Sequence, residues 1–172
     1  MQMNHEFKRA AVRGLADNPF KLIGDQWMLI TAGGPSKHNC MTASWGGLGV
    51  LWGKEVAFCF VRPTRHTFGF MEAAGSYSLS FFPESMRPAL DLCGSKSGRD
   101  IDKDKAAGLS PFEVDPGVTS YEQARLVLVC RKLYRQDFDP ALFLDPAIEK
   151  NYPKKDYHRM YIGEIAAAFE RA

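Results

Sequence analysis

Apolar residues in this chain concentrate in short runs of strand length, separated by clusters of Gly, Pro and Asp. Such runs between turn-forming residues are typical of β-strands. Val56–Val61 is continuously apolar, which predicts a strand buried on both faces, whereas Ser76–Phe82 alternates polar and apolar residues. The other predicted strands are Trp27–Ala32, Leu126–Tyr134 and Tyr157–Ala167.

A longer extended segment, Asn39–Trp52, is interrupted by glycines that indicate bulges or close backbone approach. Helical signals are fewer than strand signals. The predicted helices are Thr64–Ala74, Ser85–Cys93 and Asp102–Ala107, with a turn or two at Asp145–Asn151 and a short helix or arm in the first dozen residues. This scattered order argues against a regular βαβ sheet. It favours a mainly β fold, a β-barrel with peripheral helices, built as one domain over residues 1–172.

Charge and hydropathy narrow the possible partners. The formal net charge is only +2 and the basic residues are scattered, so we expect no nucleic-acid binding. No apolar run approaches the length of a membrane span, and the N-terminus lacks the pattern of a signal peptide. We therefore expect a cytoplasmic protein with no membrane partner.

The four cysteines form no CxxC pair and have no metal-ligand spacing with the four histidines. They are Cys40, Cys59, Cys93 and Cys130. Most lie in or beside apolar runs, where a free cysteine behaves as a small hydrophobic residue. Reduced thiols without a structural disulfide or metal site are the simplest interpretation.

The segment from Asn39 to Gly47 places small hydroxyl groups in an apolar neighbourhood. On a strand, Thr42 and Ser44 point to one face, while Met41 and Trp45 point to the other. Hydroxyls and nearby backbone amides offer the mixed donors and acceptors that a flavin ring edge requires. The same alternation also fits an ordinary strand with its polar side chains in solvent.

The segment Val61–Thr67 places basic and hydroxyl residues where a buried strand gives way to a helix. A helix N-terminus has unpaired N–H groups and a positive dipole end, and both favour a phosphate. Arg62 and Arg65 could grip that phosphate bidentately, with Thr64 and Thr67 as neutral donors. The alternative is that the arginines are solvated surface charges and Thr64 is a simple helix cap.

Two further segments could contribute to a site. The loop Gly94–Lys103 is rich in Gly, Ser and basic residues, and it could close over a phosphate or be an ordinary surface loop. It lacks the spacing of a phosphate-binding P-loop. His158 precedes the last predicted strand, and it is either a proton donor or a surface or interface residue. No GxGxxG fingerprint is present, so a Rossmann nicotinamide domain is not expected.

These segments resemble the flavin reductase-like family of FMN-binding split-barrel proteins, and within it the flavoredoxins. The resemblance rests on five stretches in the family's order: NCMTASWGGLGVLW, VRPTRHTFGFME, SYSLSFF, CGSKSGRDIDK and YHRMYIGEI. It implies a Greek-key split barrel with FMN near the subunit interface of a homodimer. It also implies a cofactor site formed by Asn39, Thr42, Ala43, Ser44, Trp45, Arg62, Thr64, Arg65, His66, Thr67, Ser80, Phe81 and Lys103.

Within that site, the resemblance assigns different parts of FMN to different residues. The segment 42–45 would line the isoalloxazine and ribityl region, and the residues from Arg62 to Thr67 would hold the phosphate end. Ser80 and Phe81 would close the pocket, and Lys103 would approach the phosphate. The family often has a tyrosine at the position of His66, so this chain departs from the pattern there.

The resemblance leaves two functions open. The first is an NAD(P)H-dependent flavin reductase, in which hydride passes to the flavin and no catalytic side chain is required. The alternative is a flavoredoxin-type electron carrier that holds FMN permanently and exchanges electrons with a redox protein partner. A third and weaker interpretation is a barrel that has lost its flavin and serves as a binding domain. The sequence does not separate NADH from NADPH.

Overall fold

The computed structural model describes residues 7–172, and most of its regular structure is β. Its strands are β1 (Phe7–Ala10), β2 (Met28–Gly34), β3 (Lys37–Ala43), β4 (Gly46–Leu51), β5 (Lys54–Val61), β6 (Ser76–Phe81), β7 (Pro111–Asp115), β8 (Val118–Tyr121), β9 (Leu126–Asp137) and β10 (Arg159–Arg171). The α-helices are α1 (His66–Ala73), α2 (Arg87–Ser95) and α3 (Lys103–Ala107). Short 3-10 helices lie at Val12–Gly14, Glu84–Met86, Pro140–Leu142 and Pro146–Asn151, and a π-helical turn lies at Lys21–Asp25.

The large sheet has eight strands in the order β3-β2-β6-β9-β10-β5-β4, with β1 paired to β10. Its edge strands β3 and β4 are consecutive in the chain, and only Ser44 and Trp45 join them. Because two residues cannot cross an open sheet of this width, the sheet must curl until its two edges meet. The expected mainly β split barrel is confirmed, and its seam lies at Ser44–Trp45.

Buried side chains form two clusters, one on each face of the sheet. One fills the barrel and includes Ile30, Leu79 and Leu128. The other lies between the sheet and α2, α3 and the β7–β8 hairpin, and it includes Leu90 and Val127. Strand β9 contributes side chains to both clusters, which explains why its LVLVC run is apolar at consecutive positions.

Several predicted elements lie where the sequence placed them. Helix α3 begins after Asp102, whose side chain accepts a hydrogen bond from the backbone N–H of Lys105. It ends at Gly108, which has the left-handed φ of 65°. The helix predicted at Ser85–Cys93 is observed as α2, with Pro88 in its first turn. Asp145–Asn151 forms 3-10 rather than α-helical turns.

Other predicted elements differ from the structure. The first dozen residues were expected to form a helix or arm, but Phe7–Ala10 is a strand paired with β10; residues 1–6 lie outside the described residues. The helix predicted from Thr64 begins at His66. The Val56–Val61 run is not buried on both faces throughout, because Phe58 and Phe60 are only partly buried.

The β7–β8 hairpin was not predicted from the sequence. It packs on the outer face of β6, where polar side chains of the two elements pair. Ser78 Oγ donates to the Thr119 carbonyl at 2.6 Å, and the Ser80 and Ser120 hydroxyls are 2.9 Å apart. The alternating polar residues of β6 therefore face a second layer of protein.

Two kinds of feature are absent from the described residues. Within residues 7–172, no helix is long and apolar enough to cross a membrane. The same part of the chain contains no group of three or more His, Cys, Asp or Glu side chains arranged to hold a metal ion.

Candidate functional site

Three cavities that share walls run from the start of α1 to the barrel seam. The helix-start cavity, of about 130 Å³, is lined by Met41, Thr64, Arg65, His66, Thr67, Ser95, Lys96, Ser97, Arg99 and Lys103. The histidine cavity, of about 220 Å³, is lined by Met41, Thr42, Ala43, Ser44, Trp45, Phe60, Arg62, Arg65 and His158. The apolar cavity, of about 490 Å³, is lined by Pro19, Phe20, Ile23, Gly24, Ser44, Trp45, Gly46, Gly47, Leu48, Phe60 and Phe138. The row thus changes from basic to aromatic along its length.

Arg65 is the charged group at the junction of the first two cavities. It is partly buried, and no carboxylate in residues 7–172 forms an ion pair with it. Burial lowers the pKa of Arg65, and the Arg62 guanidinium lowers it further. A partly buried guanidinium without an ion-pair partner has an uncompensated desolvation cost. An anionic ligand bound to Arg65 would offset that cost.

The start of α1 adds a second anion-binding feature. Arg65 is the N-cap residue with extended backbone, and no side chain caps the helix. The first N–H groups of the helix therefore lack the usual side-chain acceptor. Among the described residues lining the helix-start cavity none is acidic, whereas Arg65, Lys96, Arg99 and Lys103 are basic. The cavity is built for a small anion such as a phosphate group.

The Gly94–Lys103 segment forms one wall of this cavity, although it is not a loop throughout: Gly94 and Ser95 end α2, and Lys103 begins α3. Arg99 donates to the Thr64 carbonyl at 3.4 Å. Gly98 permits the close approach: a Cβ there would lie 1.9 Å from Asn39 Oδ1 and 3.3 Å from the His66 ring. Only glycine lets this loop reach β3 without displacing Asn39.

Asn39 and Thr67 form a buried pair behind the cavity. Asn39 Nδ2 donates to Thr67 Oγ1 at 2.7 Å, which leaves the Thr67 hydroxyl proton free to donate into the helix-start cavity. Asn39 itself does not line that cavity, so it acts by holding Thr67. His66 does line it, and burial, followed by Arg99 and Lys103, lowers the pKa of His66.

Lys103 has a structural role in addition to lining the cavity. Its side chain is buried, and Nζ donates to the carbonyls of Cys40 at 2.8 Å and Cys93 at 2.7 Å. Burial lowers the pKa of Lys103. An ammonium has three N–H donors, so one remains for a ligand.

Arg62 lines the histidine cavity and Thr64 lines the helix-start cavity, but both side chains are already bonded to another part of the chain. Arg62 donates to Asp156 Oδ1 at 2.7 Å and to the Asn151 carbonyl at 2.8 Å. Thr64 Oγ1 donates to Asp156 Oδ2 at 3.3 Å. Both side chains thus fasten the 151–156 segment to the end of β5. Their order along the chain could not reveal this, because the partner carboxylate lies more than ninety residues away.

The hydroxyl segment lines the histidine cavity, but not as a regular strand face. Thr42, Ala43, Ser44 and Trp45 all line it, because β3 ends at Ala43 and the alternation is lost at the seam. Thr42 Oγ1 donates to the Leu90 carbonyl at 2.5 Å, so it reaches the cavity only as an acceptor. Trp45 is 45% exposed and its ring lies 5.2 Å from that of His158.

His158 is a wall residue that the sequence identified only as a weak catalytic candidate. It is buried, and Nδ1 lies 2.9 Å from the Tyr152 hydroxyl. Burial, with a contribution from Arg62, lowers the pKa of His158 to about 4. The imidazole is therefore neutral near pH 7, and if Tyr152 donates to Nδ1, Nε2–H is a donor available to a ligand.

We expect His158 to make stability pH-dependent between pH 6.5 and about 4. In this range the unfolded chain, whose histidine has the ordinary pKa of 6.5, binds a proton that the folded protein excludes. The contribution is complete above pH 6.5 and is lost as the pH falls. Urea unfolding at pH 7 and pH 4.5 measures how far the free energy of unfolding falls between the two pH values. This fall should be smaller for His158→Gln than for the wild type, by on the order of 2 kcal/mol. Identical pH slopes for the two proteins would contradict the assignment.

Ser80 and Phe81 lie away from the cavities. Both are fully buried; Phe81 belongs to the barrel core and Ser80 contacts Ser120. Sequence reasoning also missed two wall residues of the histidine cavity, Met41 and Phe60, and most walls of the apolar cavity. Phe60 lies two residues before Arg62, which directly follows β5, and this spacing is the only sequence signal that could have found it.

A family model covers most of the chain. Residues 20–171 match the family model described as the flavin reductase like domain. The chain belongs to this family, which confirms the resemblance seen in the sequence. A search of curated proteins gave no match.

Solved structures show the same fold at low sequence identity. A flavoredoxin from Methanosarcina acetivorans superposes with a TM-score of 0.67 and 23% identity, over 85% of this chain and 68% of its own. An FMN-binding protein from Thermus thermophilus with bound 1-cyclohex-2-enone gives 0.68 and 21%, over 95% and 80%. An NADH:FAD oxidoreductase from Streptomyces globisporus, in complex with NAD and FAD fragments, gives 0.63 and 16%, over 86% and 74%.

Proposed function

We propose that this protein is an FMN-dependent oxidoreductase that receives electrons from NADH or NADPH. The observation that carries the proposal is the unpaired Arg65 beside the uncapped start of α1, at the basic end of a row of cavities. FMN has one phosphate at the end of a chain that leads to a planar ring. A basic cavity followed by an aromatic one matches that order of groups.

The residues fit FMN in three positions. Arg65, Thr67, Arg99 and the first N–H groups of α1 would bind the phosphate. The histidine cavity would receive the ribityl chain and the polar edge of the ring. Trp45 and Phe60, which line both the histidine and apolar cavities, would contact the isoalloxazine. When bound, FMN supplies the hydride-accepting chemistry, and the protein orients the ring and tunes its electronics.

The neutral state of His158 gives it a defined part in this proposal. A donor at Nε2 would stabilise negative charge at the ring edge without placing a full positive charge beside the flavin. Tyr152 holds the imidazole through Nδ1, and burial raises the pKa of Tyr152, so the phenol keeps its proton. The pair fixes the orientation of the donor and is not required to transfer a proton.

NADH or NADPH is proposed as the electron source on two grounds. The chain has no GxGxxG fingerprint, so the nucleotide would have to bind at the flavin site itself. The Streptomyces globisporus structure, which shares this fold, is an NADH:FAD oxidoreductase in complex with NAD and FAD fragments.

An absorbance spectrum of FMN-loaded protein, recorded anaerobically before and after NADH or NADPH, tests the proposal. Loss of the flavin bands with either nucleotide is the expected result. Bands that persist with both nucleotides but disappear with dithionite would overturn the reductase and favour an electron carrier fed by a redox protein. A protein that takes up no FMN would contradict the cofactor assignment itself.

We also propose that the protein acts as a homodimer. A groove of about 910 Å³ lies beside the cavities, and aromatic and small residues of α1, including Phe68, Phe70 and Ala73, line it. Its basic residues include Arg65 and Arg99, which also line the helix-start cavity, so a subunit seated in the groove would adjoin the flavin site. Light scattering should give twice the chain mass of 19.3 kDa. A monomer that retains FMN would contradict this proposal.

A further inference from the structure

Two cysteines behind the helix-start cavity lie close together, and the proposed flavin chemistry uses neither. Cys40 is on β3 and Cys93 is in α2, and their Sγ atoms are 3.8 Å apart. Both side chains are buried, and neither sulfur forms a disulfide. The elements that carry them come from distant parts of the chain, so the fold brings the two thiols together.

Cys40 is among the walls of a further small cavity, which shares Lys103 with the helix-start cavity. Its volume is about 200 Å³, and its walls are formed by His38, Asn39, Cys40, Gly98, Ile101, Asp102, Lys103 and Asp104. The walls are polar, and His38 Nε2 and Asp104 Oδ2 form a pair at 2.7 Å. A cavity of this size and polarity admits water and small polar molecules of similar size. Cys93 is not among its walls.

Of the two thiols, the surroundings favour Cys40 as the one that ionises first. A hydrogen bond with Cys93 lowers the pKa of Cys40; burial opposes this shift, and the Lys103 ammonium contributes to the lowering. The same hydrogen bond raises the pKa of Cys93, with burial acting in the same direction. In the structure the Cys40 thiol donates to Cys93 Sγ, and once Cys40 has ionised it has no proton, so Cys93 becomes the donor. The thiolate is the nucleophilic form of cysteine, and Cys40, unlike Cys93, lines the small cavity.

We propose that Cys40 and Cys93 form a site of reversible thiol oxidation, in which Cys40 reacts with hydrogen peroxide and Cys93 closes the disulfide. Sγ of Cys40 attacks one peroxide oxygen, the O–O bond breaks, and a sulfenic acid forms while hydroxide leaves and takes up a proton to become water. Sγ of Cys93 then attacks the Cys40 sulfur, the S–O bond breaks, and a second water leaves with the Cys93 proton. Two thiols lose two electrons, and one peroxide is reduced to two waters.

The proposed function matters to this site only as a source of peroxide, because a reduced flavin that reacts with dioxygen yields hydrogen peroxide. The oxidation itself requires only the folded chain. A disulfide requires about 2.05 Å between the sulfurs, so β3 and α2 must move closer together than they are in the reduced protein. Lys103, which donates to the carbonyls of both cysteines, already holds these two elements side by side.

Peptide mapping by mass spectrometry tests the site directly. The FMN-free full-length protein is treated with a small excess of hydrogen peroxide, blocked with N-ethylmaleimide under denaturing conditions and digested without reductant. We expect one disulfide-linked peptide pair joining Cys40 to Cys93, loss of two of the four thiols, and recovery of both with dithiothreitol. Cys93→Ser should stop the reaction at a Cys40 sulfenic acid that dimedone traps, and Cys40→Ser should abolish it.

Cys59 and Cys130 provide matched controls. Both are completely buried, neither lines a described cavity, and burial raises the pKa of Cys59 to about 12 and also raises that of Cys130. Cys59→Ser and Cys130→Ser should oxidise like the wild type, with circular dichroism confirming that all four variants fold. A disulfide that involves Cys59 or Cys130, or no disulfide in the folded wild type, would overturn the proposal. Because flavin is absent, failure of the proposed function would leave this result unchanged.

Discussion

Replacing Arg65 with alanine is expected to weaken FMN binding by about 1.5–3 kcal/mol, the usual range for a hydrogen bond to a charged group. That loss corresponds to roughly a tenfold to hundredfold rise in Kd. The large effect follows from the position of Arg65, which is partly buried and has no carboxylate partner in residues 7–172. Its guanidinium is therefore free to form its full set of hydrogen bonds with a phosphate.

Fluorescence titration with FMN and with riboflavin separates the phosphate contribution from that of the ring. Arg65→Ala should weaken FMN binding strongly and riboflavin binding little, because riboflavin lacks the phosphate. Arg62→Ala is the matched control, since Arg62 is held by Asp156 and lines the histidine cavity instead of the helix-start cavity. Equal losses for FMN and riboflavin in Arg65→Ala would show that Arg65 does not bind phosphate.

The same substitution should not destabilise the protein without FMN. Removing a partly buried charge that has no partner relieves a desolvation cost, so the free energy of unfolding of the FMN-free protein should stay the same or rise. Added FMN should then stabilise the wild type more than the variant, because a ligand that binds only the folded state raises its stability according to its affinity. Thermal melts should give Arg65→Ala a Tm equal to or above that of the wild type without FMN, and a smaller rise in Tm than the wild type when FMN is added.

Replacing Gly163 with valine is expected to lower the free energy of unfolding by about 3 kcal/mol, the upper part of the usual range for overpacking a core. Gly163 is buried in β10, beside a change of register with β9. A Cβ at this position would lie 2.5 Å from the Tyr77 hydroxyl and 2.9 Å from Cys130 Cβ. The Cys130 Cβ is attached directly to the backbone of β9, so it cannot move aside without distorting the sheet.

Urea unfolding of Gly163→Val and Gly75→Ala measures this effect against a control. Gly75 is exposed, a Cβ there would meet no atom within 4 Å, and its φ is not in the left-handed region. Gly75→Ala should therefore change stability by less than about 0.5 kcal/mol. A Gly163→Val protein as stable as the wild type would show that β10 and β9 can separate at this point without cost.

Local pattern was sufficient for most of the fold. The strands within 28–34, 54–61, 76–81, 126–137 and 159–171, and the cap and stop of α3, follow from hydrophobic runs and turn residues that act over short distances. The exceptions depend on long-range pairing. Phe7–Ala10 is a strand because it forms hydrogen bonds with β10. The β7–β8 hairpin packs over the hydroxyl groups of β6. Neither partner is visible in the local sequence.

In the candidate site, too, local sequence identifies the residues, but long-range contacts decide what each residue does. Arg62 and Arg65 are three residues apart with similar local sequence. Asp156 nevertheless forms an ion pair with Arg62 and not with Arg65. His158 is a neutral wall residue only because folding buries it beside Tyr152. Cys40 and Cys93 are also brought into contact only by folding, since they are fifty-three positions apart in the chain.

The sequence by itself thus determined the strand content, the family and the segments that meet around the flavin site, because these depend on residue types and spacing. Only the tertiary structure decided which charge remains unpaired, which hydroxyl is already bonded and which thiols are in contact. Those properties depend on contacts between residues far apart in the chain, and on burial, which changes the free energy of a charge or a hydrogen bond.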